Sequence, residues 1–100
     1  MKSLSILAIF VIFSANAYAS IDLAKEKNCL SCHAVDRKLV GPSFNEIKNK
    51  YEKDAGAVDK LTQKVLKGGA GVWGSVPMPS NAQVNAEEAK QLVKWILGEK

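Results

Sequence analysis

The 100-residue sequence contains little arginine, histidine and cysteine, and these scarcities exclude several classes of protein. Arg37 is the only arginine, His33 the only histidine, and there are two cysteines. Lys and Arg outnumber Asp and Glu by 14 to 10, but outside the first 19 residues they are scattered from Lys25 to Lys100 and form no arginine-rich block. The net charge of +4 therefore does not indicate a nucleic-acid-binding protein. A chain of this length has room for one small domain, which excludes a large catalytic core.

The first 19 residues differ in composition from the rest of the chain. Lys2 is their only charge, an almost unbroken apolar run covers residues 4–13, and small residues of the kind that signal peptidase requires end at Ala19. The pattern predicts a cleaved secretory signal at residues 1–19, which leaves residues 20–100 as a single domain. The alternative is a permanent anchor, but the run is shorter than the ~20 residues of a membrane-spanning helix. We therefore expect no stable membrane insertion after cleavage.

The two cysteines and the histidine form one motif, Cys29-Leu30-Ser31-Cys32-His33. This C-x-x-C-H pattern is typical of covalent haem attachment. Two thiols one helical turn apart can form thioether bonds to the two vinyl groups on one side of a porphyrin, and the adjoining imidazole can reach the iron. The motif predicts one haem c, attached through Cys29 and Cys32, with His33 as an iron ligand.

Three other interpretations of this motif are weaker. A structural zinc site needs about four nitrogen or sulfur ligands, and only three candidates occur, close together in the sequence. A thioredoxin-like dithiol would follow a strand, and no alternating apolar run precedes Cys29. A disulfide between Cys29 and Cys32 would close a very short loop, stabilise the domain little and leave His33 without a role. Export also favours haem, because periplasmic haem attachment requires secretion, and we expect a periplasmic protein.

The remainder of the domain predicts helices and no strand, so the fold class is all-α. Each helix carries a start or a stop signal. The first helix is predicted over about residues 21–28. The second follows a capping box formed by Ser43 and Glu46, the third contains Val58 and ends at Gly68, and the fourth begins after an N-cap at Asn85.

The segment 68–84, between the third and fourth predicted helices, is too apolar for a solvated linker. A loop of this length in a small domain is usually functional or disordered. Its side chains Val72, Trp73 and Val76 need a cover, and a porphyrin face can provide one. Met78 stands between two prolines and is the candidate thioether ligand for the sixth position of the iron. The alternative is a methionine that fills a gap in the core.

Four motifs along the domain carry a resemblance to a known family. C-L-S-C-H, L-V-G-P-S-F, G-V-W-G-S-V-P-M-P-S-N and K-W-I-L-G-E-K occur in an order and spacing that resemble the short bacterial class I cytochromes c of the c-551 type. The resemblance covers residues 20–100. It implies about four helices wrapped around one covalently attached haem, in a soluble, monomeric periplasmic carrier of single electrons.

The resemblance also implies roles for residues outside the haem motif. Pro42 matches the proline whose carbonyl accepts a hydrogen bond from the ring N–H of the proximal histidine. Trp73 resembles the tryptophan that donates its indole N–H to a haem propionate, and Asn81 resembles the asparagine near the distal sulfur. Two positions depart from the family: Lys64 stands where some members have an arginine near the propionates, and Ser80 replaces a second proline.

The resemblance implies redox proteins as partners and no enzymatic activity. The expected donor is a quinol-oxidising cytochrome complex, and the expected acceptor is a nitrite reductase, a peroxidase or a terminal oxidase. Two alternatives are a haem-based gas or ligand sensor and a small peroxidase-like enzyme. A sensor would need an open distal position, against which the prolines around Met78 argue. A peroxidase would need a distal acid or base, and no histidine other than His33 occurs.

Overall fold

The computed structural model describes residues 21–99, together with Ser5 and Ala8. Apart from those two residues, the predicted signal sequence at 1–19 lies outside the described part of the chain. The described backbone forms four α-helices and a short 3-10 helix, and no strand occurs in it, so the all-α prediction is confirmed. The α-helices are α1 (Ile21–Glu26), α2 (Phe44–Tyr51), α3 (Ala57–Lys67) and α4 (Ala86–Ile96). Within residues 21–99, none of these helices has the length and apolar character needed to cross a membrane.

Helices α2 and α4 both begin with a capping box. The Ser43 hydroxyl accepts from the Glu46 N–H at 3.0 Å, and the Glu46 carboxylate accepts from the Ser43 N–H at 2.8 Å, as predicted. Asn85 and Glu88 form the same reciprocal pair at 2.8 and 3.1 Å. Each box satisfies backbone N–H groups that have no partner within the helix.

The end of α1 differs from the prediction. The helix was expected to extend to about residue 28, but it ends at Glu26. Asn28 has a φ of 66° and is the one non-glycine residue with positive φ in the described part of the chain. Asparagine tolerates this left-handed conformation, which stops the helix and reverses the chain into the 3-10 helix Cys29–Ser31.

Helix α4 lies at the centre of the packing, against α2 and α3. Its inner face is buried at Ala89, Leu92 and Val93, whereas Trp95 and Ile96 are only half-buried. The buried residues form two clusters. One contains Leu23, Ala24, Phe44, Val84, Ala89 and Leu92, and the other contains Ala57, Val93 and Leu97.

The segment after α1 is joined to the start of α4 by polar contacts. The Lys27 ammonium donates to the Gln83 carbonyl at 3.2 Å, and the Gln83 amide donates back to the Lys27 carbonyl at 2.9 Å. Lys27 also pairs with Glu88 at 3.1 Å. These contacts hold the chain just before Cys29 against the C-terminal part of the domain.

Candidate functional site

One cavity of about 740 Å³ brings the predicted site residues together. Its volume falls within the range of roughly 300–1,000 Å³ found for ligand and cofactor sites. The cavity lies between the motif that starts at Cys29, the loop after α3, and the inner faces of α2, α3 and α4. All of the residues predicted for the site line it, namely Cys29, Cys32, His33, Pro42, Trp73, Met78 and Asn81.

The two thiols lie on a single tight turn at the edge of this cavity. The N–H groups of Cys32 and His33 both donate to the Cys29 carbonyl, at 3.2 and 3.0 Å. Both cysteines are free and half-buried. Burial raises the pKa of the Cys29 thiol, because apolar surroundings disfavour the thiolate. This shift is opposite to the lowered pKa of a thioredoxin-like dithiol.

The His33 ring is fixed at one nitrogen. Its Nδ1 lies 2.7 Å from the carbonyl oxygen of the buried Pro42, so the hydrogen bond that the resemblance implies is present. A hydrogen on Nδ1 that is donated to this carbonyl leaves the lone pair of Nε2 available to bind a metal. The role of His33 as an iron ligand remains a prediction.

Gly41 is a site residue that sequence reasoning missed. A Cβ atom at this position would lie 2.6 Å from Cε1 and 3.0 Å from Nδ1 of His33. The Gly41 N–H also donates to the Cys32 carbonyl at 2.8 Å, which folds the loop back over the haem motif. The pair Gly41-Pro42 therefore gives the ring space on one side and a hydrogen-bond acceptor on the other.

The loop after α3 holds Met78 by its backbone. The Gly69 N–H donates to the Met78 carbonyl at 3.0 Å, and the Met78 N–H donates to the Gly69 carbonyl at 2.8 Å. Gly68 ends α3 with a φ of 73°, and a Cβ atom there would overlap the Met78 carbonyl oxygen and lie 2.8 Å from the Ser80 nitrogen. Glycine is required at Gly68 both by the conformation and by this close approach.

Asn81 lies at the end of this loop, and its amide has two carbonyl partners. It donates to Val65 at 2.8 Å and to Pro79 at 3.4 Å. Its expected position near the distal sulfur stays a prediction; in the structure Asn81 and Met78 line the same cavity. Asn81 therefore connects the loop to α3.

The apolar side chains of the loop remain uncovered. Trp73 is 42% exposed, Val72 49% and Val76 64%, although large apolar side chains of a small domain are normally packed. The Lys50 ammonium lies 5.5 Å from the centre of the Trp73 ring and 6.0 Å from that of Tyr51, in cation–π geometry. An apolar group in the cavity would cover the side chains that line it.

The chemistry of the cavity fits a covalently attached haem. Two free thiols, an imidazole and a thioether all line one largely apolar space. The thiols are separated by the two residues that haem attachment requires, and the imidazole and the thioether are both haem iron ligands in known haem proteins.

Comparison with known proteins supplies the deciding observation, because residues 21–100 match the family described as cytochrome c. The chain belongs to the cytochrome c family. Cytochrome c-551 of Allochromatium vinosum is 48% identical to this cytochrome over 83% of this chain and 88% of its own. The crystal structure of wild-type Nitrosomonas europaea cytochrome c552 has a TM-score of 0.77 and 44% identity, over 81% of this chain and 100% of that chain. Class 1 cytochrome MtoD from Sideroxydans lithotrophicus ES-1 has a TM-score of 0.66 and 34% identity, over 80% and 91%.

Family membership confirms several predictions made from the sequence. This cytochrome has the class I cytochrome c fold, binds one covalent c-type haem with its iron, and is an electron-transport protein. The haem predicted from the C-x-x-C-H motif is therefore confirmed as the cofactor, and its attachment through Cys29 and Cys32 stays a prediction.

Proposed function

We propose that this cytochrome is a soluble periplasmic carrier of single electrons, exported by a signal at residues 1–19, whose haem iron is bound by His33 and Met78. The observation that carries the proposal is the cavity into which both thiols, the imidazole and the thioether are gathered. The haem supplies an iron that alternates between Fe(III) and Fe(II) as one electron is gained or lost. Cys29 and Cys32 hold it through thioether bonds.

The two proposed iron ligands are different kinds of donor, and backbone groups of nearby residues hold each of them in place. His33 donates from Nδ1 to Pro42, which makes the ring more basic and fixes its tautomer. Met78 offers a neutral, soft sulfur, a donor that raises the reduction potential. Its backbone is paired with Gly69 on both sides. Ligands restrained in this way move little when an electron arrives, so the reorganisation cost of transfer is small.

Other cavity residues exclude water and balance charge. Val72 and Val76 offer apolar surface from the loop, and a dry surrounding strengthens every electrostatic contact in the site. We assign the indole N–H of Trp73 to a haem propionate, as the resemblance implies. Lys64 also lines the cavity, so its ammonium can lie near a haem propionate. It cannot form the bidentate contact that an arginine would make with that carboxylate.

The proposed partners are redox proteins that bind briefly. As donor we propose a quinol-oxidising cytochrome complex, and as acceptor a nitrite reductase, a peroxidase or a terminal oxidase. A monomer with a small exposed patch at the cavity mouth suits encounters that bury less than roughly 1,200 Å². We propose no enzymatic activity, because a distal acid or base has no histidine to supply it.

A substitution of Met78 separates the carrier from a gas or ligand sensor. In Met78→Ala, the sixth position opens while Cys29, Cys32 and His33 are kept. The holoprotein should become high-spin or water-ligated, its potential should fall, and its reduced form should bind carbon monoxide readily. The wild type should stay low-spin and bind little carbon monoxide. Met78→His should remain low-spin with a lower potential, which separates the identity of the ligand from its absence.

The matched control is Val76→Ala in the same loop. It shortens an exposed apolar side chain that lines the cavity and leaves Met78 in place, so its spectrum should remain that of the wild type. An unchanged spectrum and potential in Met78→Ala would show that Met78 only packs. Ready binding of carbon monoxide by the wild type would favour the sensor instead.

A further inference from the structure

Three aromatic rings form a continuous row behind the proximal side of the cavity. The His33 ring is stacked on Phe44, with ring centroids 5.5 Å apart and planes inclined by 22°. Phe44 meets Trp95 edge to face, with centroids 5.4 Å apart and an angle of 73°. Offset stacks and edge-to-face contacts at these separations are the arrangements that aromatic rings prefer. The row therefore connects the haem motif to α4 through the first residue of α2.

Phe44 is the most deeply buried member of this row. It is only 5% exposed and belongs to the main buried cluster. Its backbone is fixed as well, because it directly follows the N-cap Ser43 and donates its own N–H to the Ala34 carbonyl at 2.9 Å. The Phe44 ring is therefore held in place both by its backbone and by its contact with Trp95, and it offers His33 a fixed surface.

The other contacts of His33 do not fix the orientation of its ring plane. The bond from Nδ1 to Pro42 fixes the position of one ring atom, but the ring plane can still turn about that atom. Gly41 faces the ring at Cε1, Nδ1 and Nε2, but because it has no side chain it leaves the ring room to tilt on that side. The near-parallel ring of Phe44 supplies the missing restraint, because a tilt of the imidazole would drive one of its edges into Phe44.

We propose that Phe44, supported by Trp95, is a positioning residue that sets the plane of the His33 imidazole and thereby its orientation toward the haem iron. The inference rests on the proposed ligation of iron by His33. Without Phe44, the imidazole tilts and its hydrogen bond to Pro42 weakens. A weaker hydrogen bond makes the ring less basic and stabilises Fe(III) less, so the reduction potential rises.

The test compares Phe44→Leu with Phe44→Tyr in the oxidised holoprotein. The shifts of the haem methyl protons in NMR depend on the orientation of the axial ligand planes, and an electrode titration gives the midpoint potential. Phe44→Leu should redistribute the haem methyl shifts and raise the potential. Phe44→Tyr keeps the stacked ring and should retain both wild-type values. A second cavity of about 200 Å³, lined by Phe44, Asn45 and Trp95, provides free volume beside this residue.

A second variant and a control guard against a general loss of stability. Trp95→Leu removes the support and leaves Phe44, so it should shift the methyl signals in the same direction by a smaller amount. Leu23→Ala truncates another residue of the same buried cluster, 3% exposed and outside the lining of the main cavity. It should lower the melting temperature and leave the methyl shifts and the potential unchanged.

The outcomes separate this inference from the proposed function. If Phe44→Leu and Leu23→Ala lose stability alike and both keep the wild-type methyl shifts and potential, Phe44 is only a core residue. If the wild-type spectrum lacks the signals of an iron-bound imidazole, the ligation by His33 is itself wrong. A redistribution in Phe44→Leu that Phe44→Tyr restores would establish the positioning role.

Discussion

The side-chain amide of Asn81 donates a 2.8 Å hydrogen bond to the carbonyl oxygen of Val65 in the last turn of α3. The final carbonyls of a helix have no partner within the helix. The N–H of Gly69 stands four residues beyond Val65, but it is used by the Met78 carbonyl. Asn81 therefore caps α3 from outside and holds the loop that contains Met78 against the end of the helix.

Removing this amide should loosen the loop more than it destabilises the fold. Asn81→Ala leaves the Val65 carbonyl without its donor, and we expect a loss of about 1 kcal/mol in the free energy of unfolding. Hydrogen exchange should accelerate at the amides of Gly69 and Met78. Asn49→Ala, at an exposed position of α2, is the control and should change neither quantity. If the Gly69 and Met78 amides were equally protected from exchange in the wild type and in both variants, Asn81 would not hold the loop.

A methyl group at Gly41 should displace the proximal imidazole. In Gly41→Ala the new Cβ atom would lie 2.6 Å from Cε1 of His33, so the ring or the loop must move. We expect a loss of about 1–3 kcal/mol, the usual cost of overpacking, together with a changed reduction potential. Gly56→Ala serves as the control, because its Cβ atom would lie 3.5 Å or more from Asp54 and every other neighbour. A wild-type potential in Gly41→Ala would mean that the ring tolerates the overlap.

Gly68 should be the glycine of the loop that tolerates substitution least. Gly68→Ala places a side chain on a residue with a φ of 73° and against the Met78 carbonyl. Gly71→Ala carries only the conformational cost of about 1–2 kcal/mol, because its φ is 99° and nothing lies within 4 Å. Urea unfolding of the holoprotein should therefore show a larger loss for Gly68→Ala. Carbon monoxide should also bind this variant more readily, since Met78 is displaced. Equal losses in the two variants would contradict the contact.

The acid stability of the domain should depend on Glu88. The pKa of this carboxyl lies below its ordinary value of 4.5, because the Asn85 N–H and then the Lys27 ammonium donate to it. A group whose pKa is lowered by folding stabilises the protein above its unfolded pKa and loses this contribution as the pH falls through the folded pKa. The difference in melting temperature between the wild type and Glu88→Gln should thus be fully present above about pH 4.5 and shrink below it.

Glu87→Gln is the control for this titration. Glu87 is exposed and lies in the same first turn of α4. Its substitution by glutamine changes the net charge by the same amount as Glu88→Gln. Its difference from the wild type should stay small across the same pH range. If the difference in melting temperature between the wild type and Glu88→Gln stayed constant down to pH 2, the role of the ionised carboxylate would be contradicted.

The parts of the fold that were predictable depend on residues close together in the chain. The capping box at Ser43, the N-cap at Asn85 and the stop at Gly68 are set by neighbours within about four positions, and the structure has all three. The end of α1 was wrong because a left-handed Asn28 is tolerated rather than demanded by its side chain. The sequence therefore holds no signal that ends the helix before residue 28.

The site was predictable as a set of residues but not as a set of contacts. The haem motif and Met78 carry their own chemical signals, so the residues that line the cavity could be named in advance. The stacking of Phe44 on His33 brings together residues that no periodicity relates. The family resemblance implies that Asn81 lies near the sulfur, but it does not indicate that the amide donates to Val65 and Pro79, because those contacts depend on the unpartnered end of α3.

The reciprocal bonds between Lys27 and Gln83 have a consequence for the order in which the chain folds. They close a separation of 56 residues. Helix α1 has only six residues, fewer than the roughly 12–15 that an isolated helix needs to persist in water. The segment that presents Cys29 therefore takes its final shape only when the residues around Gln83 dock against it. Until that docking occurs, both thiols lie on an unfolded stretch of chain, accessible to whatever attaches the haem.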